Sequence, residues 1–275
     1  MTTIALLGAG GKMGMRLARN LKNSSFKIHP VEINPQAQEK IKSEFGWECV
    51  DRSTALQDAE IVIMAVPDTV IGAVAKDIVP TLRKGTIVVI LDAAAPHAGH
   101  LPERADITYF ITHPCHPPIF NDETDMAAKA DHFGGIAAKQ HIVNALMQGP
   151  ENHYALGEEV ARIIWAPVMR SHRITVEQMA ILEPGLSETV CATLLSAMRD
   201  AMDEAIRRGV PKEAARDFLL GHMNILAAVT FEEINGQFSD ACNKAIVFGK
   251  ETILKPDWLR LFEPEEIKDS VKRIT

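Results

Sequence analysis

Residues 3–14 read TIALLGAGGKMG and carry the clearest structural signal of the sequence. Thr3–Leu7 is short and apolar enough for a buried strand, and it leads directly into glycines followed by helical spacing. Glycines at such a turn let the backbone approach a pyrophosphate, whose charge is met by N–H groups at the start of the helix. The stretch therefore predicts a strand, loop and helix that bind a nucleotide.

The glycine spacing departs from the common G-x-G-x-x-G pattern, which would require Gly where Met13 stands. Gly8, Gly11 and Gly14 instead fit a G-x-x-G-x-x-G variant. The alternative to nucleotide binding is a purely structural tight turn. The predicted cofactor contacts in the loop are Gly8, Gly10, Gly11, Lys12, Met13 and Gly14.

A second cofactor signal is Glu32 in the segment HPVEIN, eighteen positions after Gly14. A carboxylate at about this separation (~20 residues) meets the ribose hydroxyls of the adenosine half. The same charge repels a 2′-phosphate, so NAD is favoured over NADP. The alternative is a solvated Glu at a strand end. Val66 and Pro67 are expected along the nicotinamide half, because ligands lie beyond the carboxyl ends of parallel strands.

Short apolar runs alternate with amphipathic stretches in the first half, which is typical of a parallel sheet covered by helices. The predicted strands are Thr3–Leu7, Lys27–Ile33, Ile61–Val66, Thr86–Leu91 and Ile107–Ile111. The predicted helices between them are Met13–Leu21, Ala37–Phe45 and Val70–Leu82.

Longer helical patterns follow from about residue 151. These are Leu186–Arg208, Lys212–Val229 and Asp240–Leu254. We therefore predict an α/β fold, with an N-terminal Rossmann parallel sheet over residues 1–173 and an all-α domain over residues 174–275. Such an apolar helical half usually also buries a subunit interface, so a homodimer is expected.

Composition excludes several classes of function. A net charge of −7 over 275 residues gives no basic footprint for nucleic acid or an anionic membrane. No segment approaches ~20 uninterrupted apolar residues, and the N-terminus lacks the pattern of a signal peptide. The four cysteines are far apart and form no C-x-x-C pair, which indicates a reducing cytoplasm.

The segment Thr112–Pro118, THPCHPP, follows the last predicted strand of the sheet. Three prolines in five residues forbid a helix and fix an extended path. His113 and His116 should point apart on such a path. Imidazole serves both as a metal ligand and as a proton carrier, so one of them is a candidate for either role. The alternative is a pair of structural histidines that hydrogen-bond loop backbone.

A second cluster, EQMAILEPGLSE, contains Glu183 within an apolar run and Glu188 beyond Pro184-Gly185. The two glutamates would lie ~140° apart on an unbroken helix, but the Pro-Gly pair should kink or restart it and allow them to converge. A carboxylate beside a histidine would form a divalent-metal site. The alternative for Glu188 is a structural Glu near a helix N-terminus.

Several segments together resemble the D-apionate oxidoisomerases. These enzymes combine a Rossmann domain with a phosphogluconate-dehydrogenase-like C-terminal domain, and their reaction is related to that of ketol-acid reductoisomerase. The segments that carry the resemblance are GAGGKMG, THPCHPPIFND, APVMRSHRITVEQMAILEPGLSETV, RRGVPKEAARDFLLGH and DWLRLFEPE. The pattern G-x-x-x-K-x-x-N of β-hydroxyacid dehydrogenases is absent, since Thr189 stands where the Lys would fall. That departure favours a site built from His and Glu.

The resemblance implies oxidation of a branched, polyhydroxylated sugar acid by NAD, followed by a metal-assisted carbon shift to a 3-oxo acid. His116 and Glu183 are then the predicted ligands of a divalent metal, zinc or magnesium. His113 or Glu188 is the predicted base. Arg170 and Arg173 are candidates to hold the substrate carboxylate. The alternatives are a simple NAD-dependent 2- or 3-hydroxyacid dehydrogenase and a non-catalytic NAD-sensing protein.

Overall fold

The computed structural model describes residues 1–274, and in that part of the chain seven strands form one mixed sheet in the order β2-β1-β3-β4-β5-β6-β7. Strands β1 to β5 are mutually parallel, β6 runs antiparallel to β5, and β7 runs parallel to β6. The strands are β1 Thr3–Leu7, β2 Lys27–Val31, β3 Ile61–Met64, β4 Ile87–Ile90, β5 Thr108–Pro114, β6 Gln140–Gln148 and β7 Val168–Arg173.

The central strands are buried on both faces, which is why they are apolar throughout rather than alternating. Val62 and Val88 belong to the core on one face of the sheet, and Ile63 and Val89 to the core on the other. Successive side chains of a strand point to opposite faces, so each strand contributes to both cores. The predicted α/β class with an N-terminal Rossmann-like sheet is confirmed.

Helices cover the sheet, and those at the three predicted places are α1, α2 and α4. The Asn34 side chain caps α2 by accepting hydrogen bonds from the N–H groups of Gln36 and Ala37, and Pro35 occupies the first helical position. The helices up to residue 180 are α1 Lys12–Leu21, α2 Pro35–Phe45, α3 Arg52–Asp58, α4 Asp68–Ile78, α5 Ala94–His97, α6 Met126–Ala130, α7 Asn152–Ile164 and α8 Val176–Ala180.

The chain divides into two compact units. The first comprises Met1–Leu182 together with the residues from Val271 on, and the second comprises Glu183–Ser270. Helix α8 belongs to the first unit because Val176 and Met179 are buried in its core. The helical composition therefore begins after residue 173, before the main segment of the first unit ends at Leu182.

The remainder of the chain is helical, and of the helices described none is long and apolar enough to cross a membrane. The predicted helices starting at Lys212 and Asp240 are confirmed to within one residue at each end. The elements are a π-helix Ile181–Ala192, α9 Thr193–Arg207, α10 Lys212–Thr230, α11 Asp240–Ile253, a 3₁₀-helix Trp258–Phe262 and α12 Pro264–Ile274.

The expected helix restart at Gly185 is wrong. Helical structure continues from Val176 to Arg207, with the wider π-helix in its middle. Pro184 lies inside that segment, and its carbonyl oxygen accepts a hydrogen bond of 2.6 Å from the Thr189 hydroxyl, five residues later. Widening the helix thus accommodates the proline without breaking the chain's helical path.

Candidate functional site

The loop between β1 and α1 requires glycine where it packs most tightly. Gly8 has a φ of +72°, and a Cβ there would meet the carbonyl oxygen of Ala65. A Cβ at Gly14 would meet the carbonyl oxygen of Gly8. Gly11 is less restricted, because its nearest neighbour would lie 3.2 Å away. Gly8 and Gly14 therefore allow the close approach of helix and strand that nucleotide-binding loops need.

Glu32 fastens the end of β2 to this loop. Its Oε2 accepts a hydrogen bond of 2.9 Å from the N–H of Gly10, and its Oε1 accepts bonds of 2.9 Å from the N–H groups of Ile33 and Asn34. A Cβ at Gly10 would lie 2.9 Å from that Oε2 and 2.5 Å from Cβ of Ala37. The carboxylate is thus held in one position beside the loop, and Gly10 makes room for it.

A cavity of about 390 Å³ opens at this edge of the sheet, within the size range of small-molecule sites. Arg52, which sequence reasoning missed, also lines it and pairs with Asp77 at 2.8 Å. Arg52 begins the short helix α3, which no sequence motif marks. Among the predicted contacts, those that line the cavity are Gly8, Gly11, Glu32, Val66 and Pro67.

The other predicted loop contacts have different surroundings. Lys12 is exposed in the first turn of α1. Met13 is partly buried and packs against the core on one face of the sheet. Gly10 and Gly14 serve the packing described above. A direct cofactor contact by these four residues stays a prediction.

The two predicted histidines lie close together at the end of β5. Their ring centroids are 5.9 Å apart and their planes are nearly perpendicular, at 89°. His113 is still in the strand, where it pairs with Val143 of β6. The expectation that the rings point apart on an extended chain is wrong, because His116 adopts a φ of +62° and turns the backbone.

A backbone carbonyl orients the His116 ring. Nδ1 of His116 lies 2.8 Å from the carbonyl oxygen of Phe133, and the Phe133 ring contacts the imidazole edge-on with centroids 4.7 Å apart. Because a carbonyl only accepts hydrogen bonds, Nδ1 is the donor in this contact. Metal-binding histidines are commonly oriented by such a bond from the nitrogen that does not bind the metal.

The two predicted glutamates belong to the π-helix. Glu183 is half-buried and Glu188 is exposed. In a π-helix the hydrogen bonds join residues five apart, so positions 183 and 188 lie on the same side of the helix. A Pro-Gly kink is therefore not needed to place the two positions on one side of the helix. Segments of this kind are frequent at functional sites.

The two candidate arginines differ in their partners. Arg173 forms an ion pair with Glu151 that lowers the pKa of that carboxyl, and its guanidinium stacks 4.2 Å from the Tyr154 ring. This side chain is already occupied, so its predicted role as a substrate clamp is not favoured. Arg170 lies 3.1 Å from Nε2 of His141. Burial lowers the pKa of His141, and the charge of Arg170 lowers it further.

Two broader expectations concern metals and cysteines. Among residues 1–274, no three His, Cys, Asp or Glu side chains lie close enough together to hold a metal. Cys49, Cys115, Cys191 and Cys242 are all free thiols.

Two family models match the chain. Residues 3–96 match the model described as NADP oxidoreductase coenzyme F420-dependent. Residues 121–275, more than half of the chain, match the model described as phosphogluconate dehydrogenase (decarboxylating) C-term.

Individual proteins match over the whole chain. A D-apionate oxidoisomerase from Rhizobium rhizogenes is 66% identical over 275 residues, which is 100% of both chains. Another from Cupriavidus necator is 63% identical over 272 residues, 99% of both chains. A crystal structure from Cupriavidus necator, described as a semialdehyde dehydrogenase NAD-binding protein in complex with calcium and NAD, has a TM-score of 0.98, with 62% identity and 100% of both chains covered. The resemblance seen in the motifs is confirmed, and the chain belongs to the D-apionate oxidoisomerase family of oxidoreductases.

Proposed function

We propose that this enzyme oxidises D-apionate, or a closely related branched aldonate, with NAD and rearranges the product to an isomeric 3-oxo acid. The observation that carries the proposal is the orientation of His116, whose Nδ1 donates to the carbonyl oxygen of Phe133. Metal-binding histidines commonly carry such a bond on the nitrogen that does not bind the metal, which is why His116 is the proposed ligand. Full-length similarity to two D-apionate oxidoisomerases supports the substrate class.

NAD is the proposed redox cofactor, and when bound it accepts the hydride that leaves the substrate. The glycine loop and the adjoining cavity fit a dinucleotide, and the similar Cupriavidus necator protein was crystallised with NAD. The fixed carboxylate of Glu32 favours ribose hydroxyls over a 2′-phosphate. We therefore propose NAD even though the description of one matching family model names NADP.

His116 is the proposed ligand of a divalent cation, and the role of Glu183 as its second ligand stays a prediction. An imidazole nitrogen together with carboxylate oxygens is a donor set that zinc accepts readily, whereas magnesium and calcium prefer oxygen alone. The calcium in the Cupriavidus necator structure supports a divalent cation in this family without fixing which metal acts. When bound, the cation would polarise the 2-oxo oxygen and stabilise negative charge on the neighbouring 3-oxygen.

The proposed reaction balances in two steps. The 2-hydroxyl gives its proton to a base and C2 gives up a hydride, which leaves a 2-oxo acid. The 3-hydroxyl then loses its proton, a hydroxymethyl group moves with its bonding electrons from C3 to C2, C3 becomes a ketone, and the oxygen on C2 takes up a proton. His113 and Glu188 are the proposed proton carriers, and Arg170 is the proposed partner of the carboxylate.

We also propose that two copies pair through the helices of the second unit. No residue of the described helices α9 and α11 is buried. A groove of about 600 Å³ between α9 and α10 is lined by apolar side chains that include Met198, Phe218 and Leu226. Apolar surface on this scale is unusual on a monomer. Sedimentation velocity should show a dimer, and a monomer at micromolar concentration would contradict the pairing.

Activity on a panel of acids tests the proposed function. Purified protein should form NADH from NAD in the presence of D-apionate, and NADH formation should stop when a chelator is added. His116→Ala should lose turnover, whereas the control His100→Ala, an exposed histidine between α5 and β5, should keep it. A metal-independent 2-oxo product would indicate a simple dehydrogenase. NAD binding without turnover of any branched or linear hydroxy acid would indicate a sensor.

A further inference from the structure

The loop between α6 and β6 is organised by one buried carboxylate. Oδ1 of Asp131 accepts a hydrogen bond of 3.0 Å from the N–H of Gly134, and Oδ2 accepts bonds of 2.9–3.2 Å from the N–H groups of Ile136, Ala137 and Ala138. Burial raises the pKa of this carboxyl, but the backbone bonds outweigh it and hold the pKa below its usual value. The loop is therefore a fixed structure built around a negative charge.

Arg16 of helix α1 attaches to this loop by three contacts. Its guanidinium donates to the carbonyl oxygen of Gly134, lies 3.7 Å from the Asp131 carboxylate and stacks 4.3 Å from the centre of the Phe133 ring. The side chain is only 16% exposed, so these contacts are shielded from water. One helical turn later, Asn20 donates to the carbonyl oxygen of Gly135 at 3.1 Å. The same face of α1 thus holds the loop at two points.

The held segment is the one that orients His116. Phe133, between Asp131 and Gly134, supplies both the carbonyl that receives the proton of Nδ1 and the ring that packs against the imidazole. A displacement of Phe133 would release the ring and its Nδ1 proton together. The released His116 ring would then be able to carry its proton on Nε2, the nitrogen proposed to bind the metal.

We infer that Arg16 is a positioning residue for His116: it transmits the position of the cofactor-binding helix to the imidazole through Asp131 and Phe133. Helix α1 begins at the glycine loop, so the element that receives the cofactor pyrophosphate also sets the tautomer and orientation of His116. The inference rests on the proposed function where it concerns the metal. The link from Arg16 to the imidazole stands on the contacts alone.

Two variants and a matched control test this role. Arg16→Met keeps an unbranched apolar stem but removes the charge and every donor. Arg16→Lys restores the charge with a different donor geometry and should recover part of the effect. Arg19→Met is the control, because Arg19 lies on the same helix, is exposed and pairs with Glu44 at the surface. Thermal unfolding shows whether each variant is folded.

Nitrogen NMR of histidine-labelled, metal-free protein at about pH 8.5, where an ordinary histidine is neutral, reads the tautomer directly. The His116 signals, assigned with His116→Gln, should show a proton on Nδ1 in the wild type and in Arg19→Met, and a mixture in Arg16→Met. Calorimetric titration with zinc should show a Kd raised by about tenfold to hundredfold in Arg16→Met, with NAD affinity unchanged.

The outcomes separate the two claims. A folded Arg16→Met protein that keeps the wild-type His116 signals would overturn the positioning role. The absence of an Nδ1 proton in the wild type would overturn it as well. Altered signals with unchanged zinc affinity would support positioning by Arg16 and remove His116 from the proposed metal site. Altered signals together with weaker zinc binding would support both.

Discussion

Replacing Glu32 by Gln should shift cofactor preference from NAD towards NADP. The side chain keeps its size, but it loses the negative charge and one of the two oxygens that together accept hydrogen bonds from Gly10, Ile33 and Asn34. A hydrogen bond to a charged group contributes about 1.5–3 kcal/mol, and ~1.4 kcal/mol corresponds to tenfold in affinity. The Kd for NAD should therefore rise by about tenfold to hundredfold, while NADP no longer meets a repelling charge.

Fluorescence titration with NADH and NADPH measures both affinities in the same protein. Asn34→Ala is the control, because it removes the cap of α2 beside Glu32 but leaves the charge in place. It should weaken both cofactors to the same extent, if at all. An unchanged NADH-to-NADPH ratio in Glu32→Gln, or an equal change of ratio in Asn34→Ala, would refute the assignment.

Three further predictions follow from the site and its supports. Gly14→Ala should lower the free energy of unfolding by about 1–3 kcal/mol because its Cβ would meet backbone atoms, and Gly11→Ala should lower it by less. Thermal unfolding measures both losses, and equal losses would contradict this reasoning. The pKa of Asp131 in the folded protein lies below its usual 3.8. The wild type should therefore have a higher free energy of unfolding than Asp131→Asn, with the full difference present above that pH. The difference should disappear as the pH falls through the lower folded pKa. Urea unfolding at several pH values measures this, and a difference that grows on acidification would be inconsistent with it. His116→Ala and Glu183→Ala should each lower metal content without weakening NAD binding, and normal metal content in both would return them to structural roles.

Strands marked by their own apolar composition can be predicted from the sequence. Strand segments that form because they pair with a neighbouring strand cannot. The fifth predicted strand ends at Ile111, yet β5 continues to Pro114. Cys115 donates its N–H to His141 of β6, so the nitrogen of Pro114 faces the opposite side. On that side the pairing with β4 has already ended at Ile111, and no donor is needed.

The candidate site divides in the same way. Glu32 and the glycine loop carry local signals, since a strand, a turn and a helix must follow one another closely in sequence. The support of His116 has no such signal. Arg16 and Asp131 act on it from distant positions in the chain, and the segment DHFGG at residues 131–135 matches no motif that predicts a carboxylate-centred loop. Only the folded chain shows that Phe133 determines which nitrogen of His116 carries the proton.

Carbon NMR of the product formed from D-apionate and NAD distinguishes oxidation with rearrangement from oxidation alone. The rearrangement moves a hydroxymethyl carbon from C3 to C2, so the product should contain a ketone at C3 and a quaternary, hydroxyl-bearing carbon next to the carboxylate. An unrearranged product would keep its quaternary carbon at C3 and show a ketone next to the carboxylate. That spectrum would contradict the proposed isomerisation and leave only an NAD-dependent dehydrogenase.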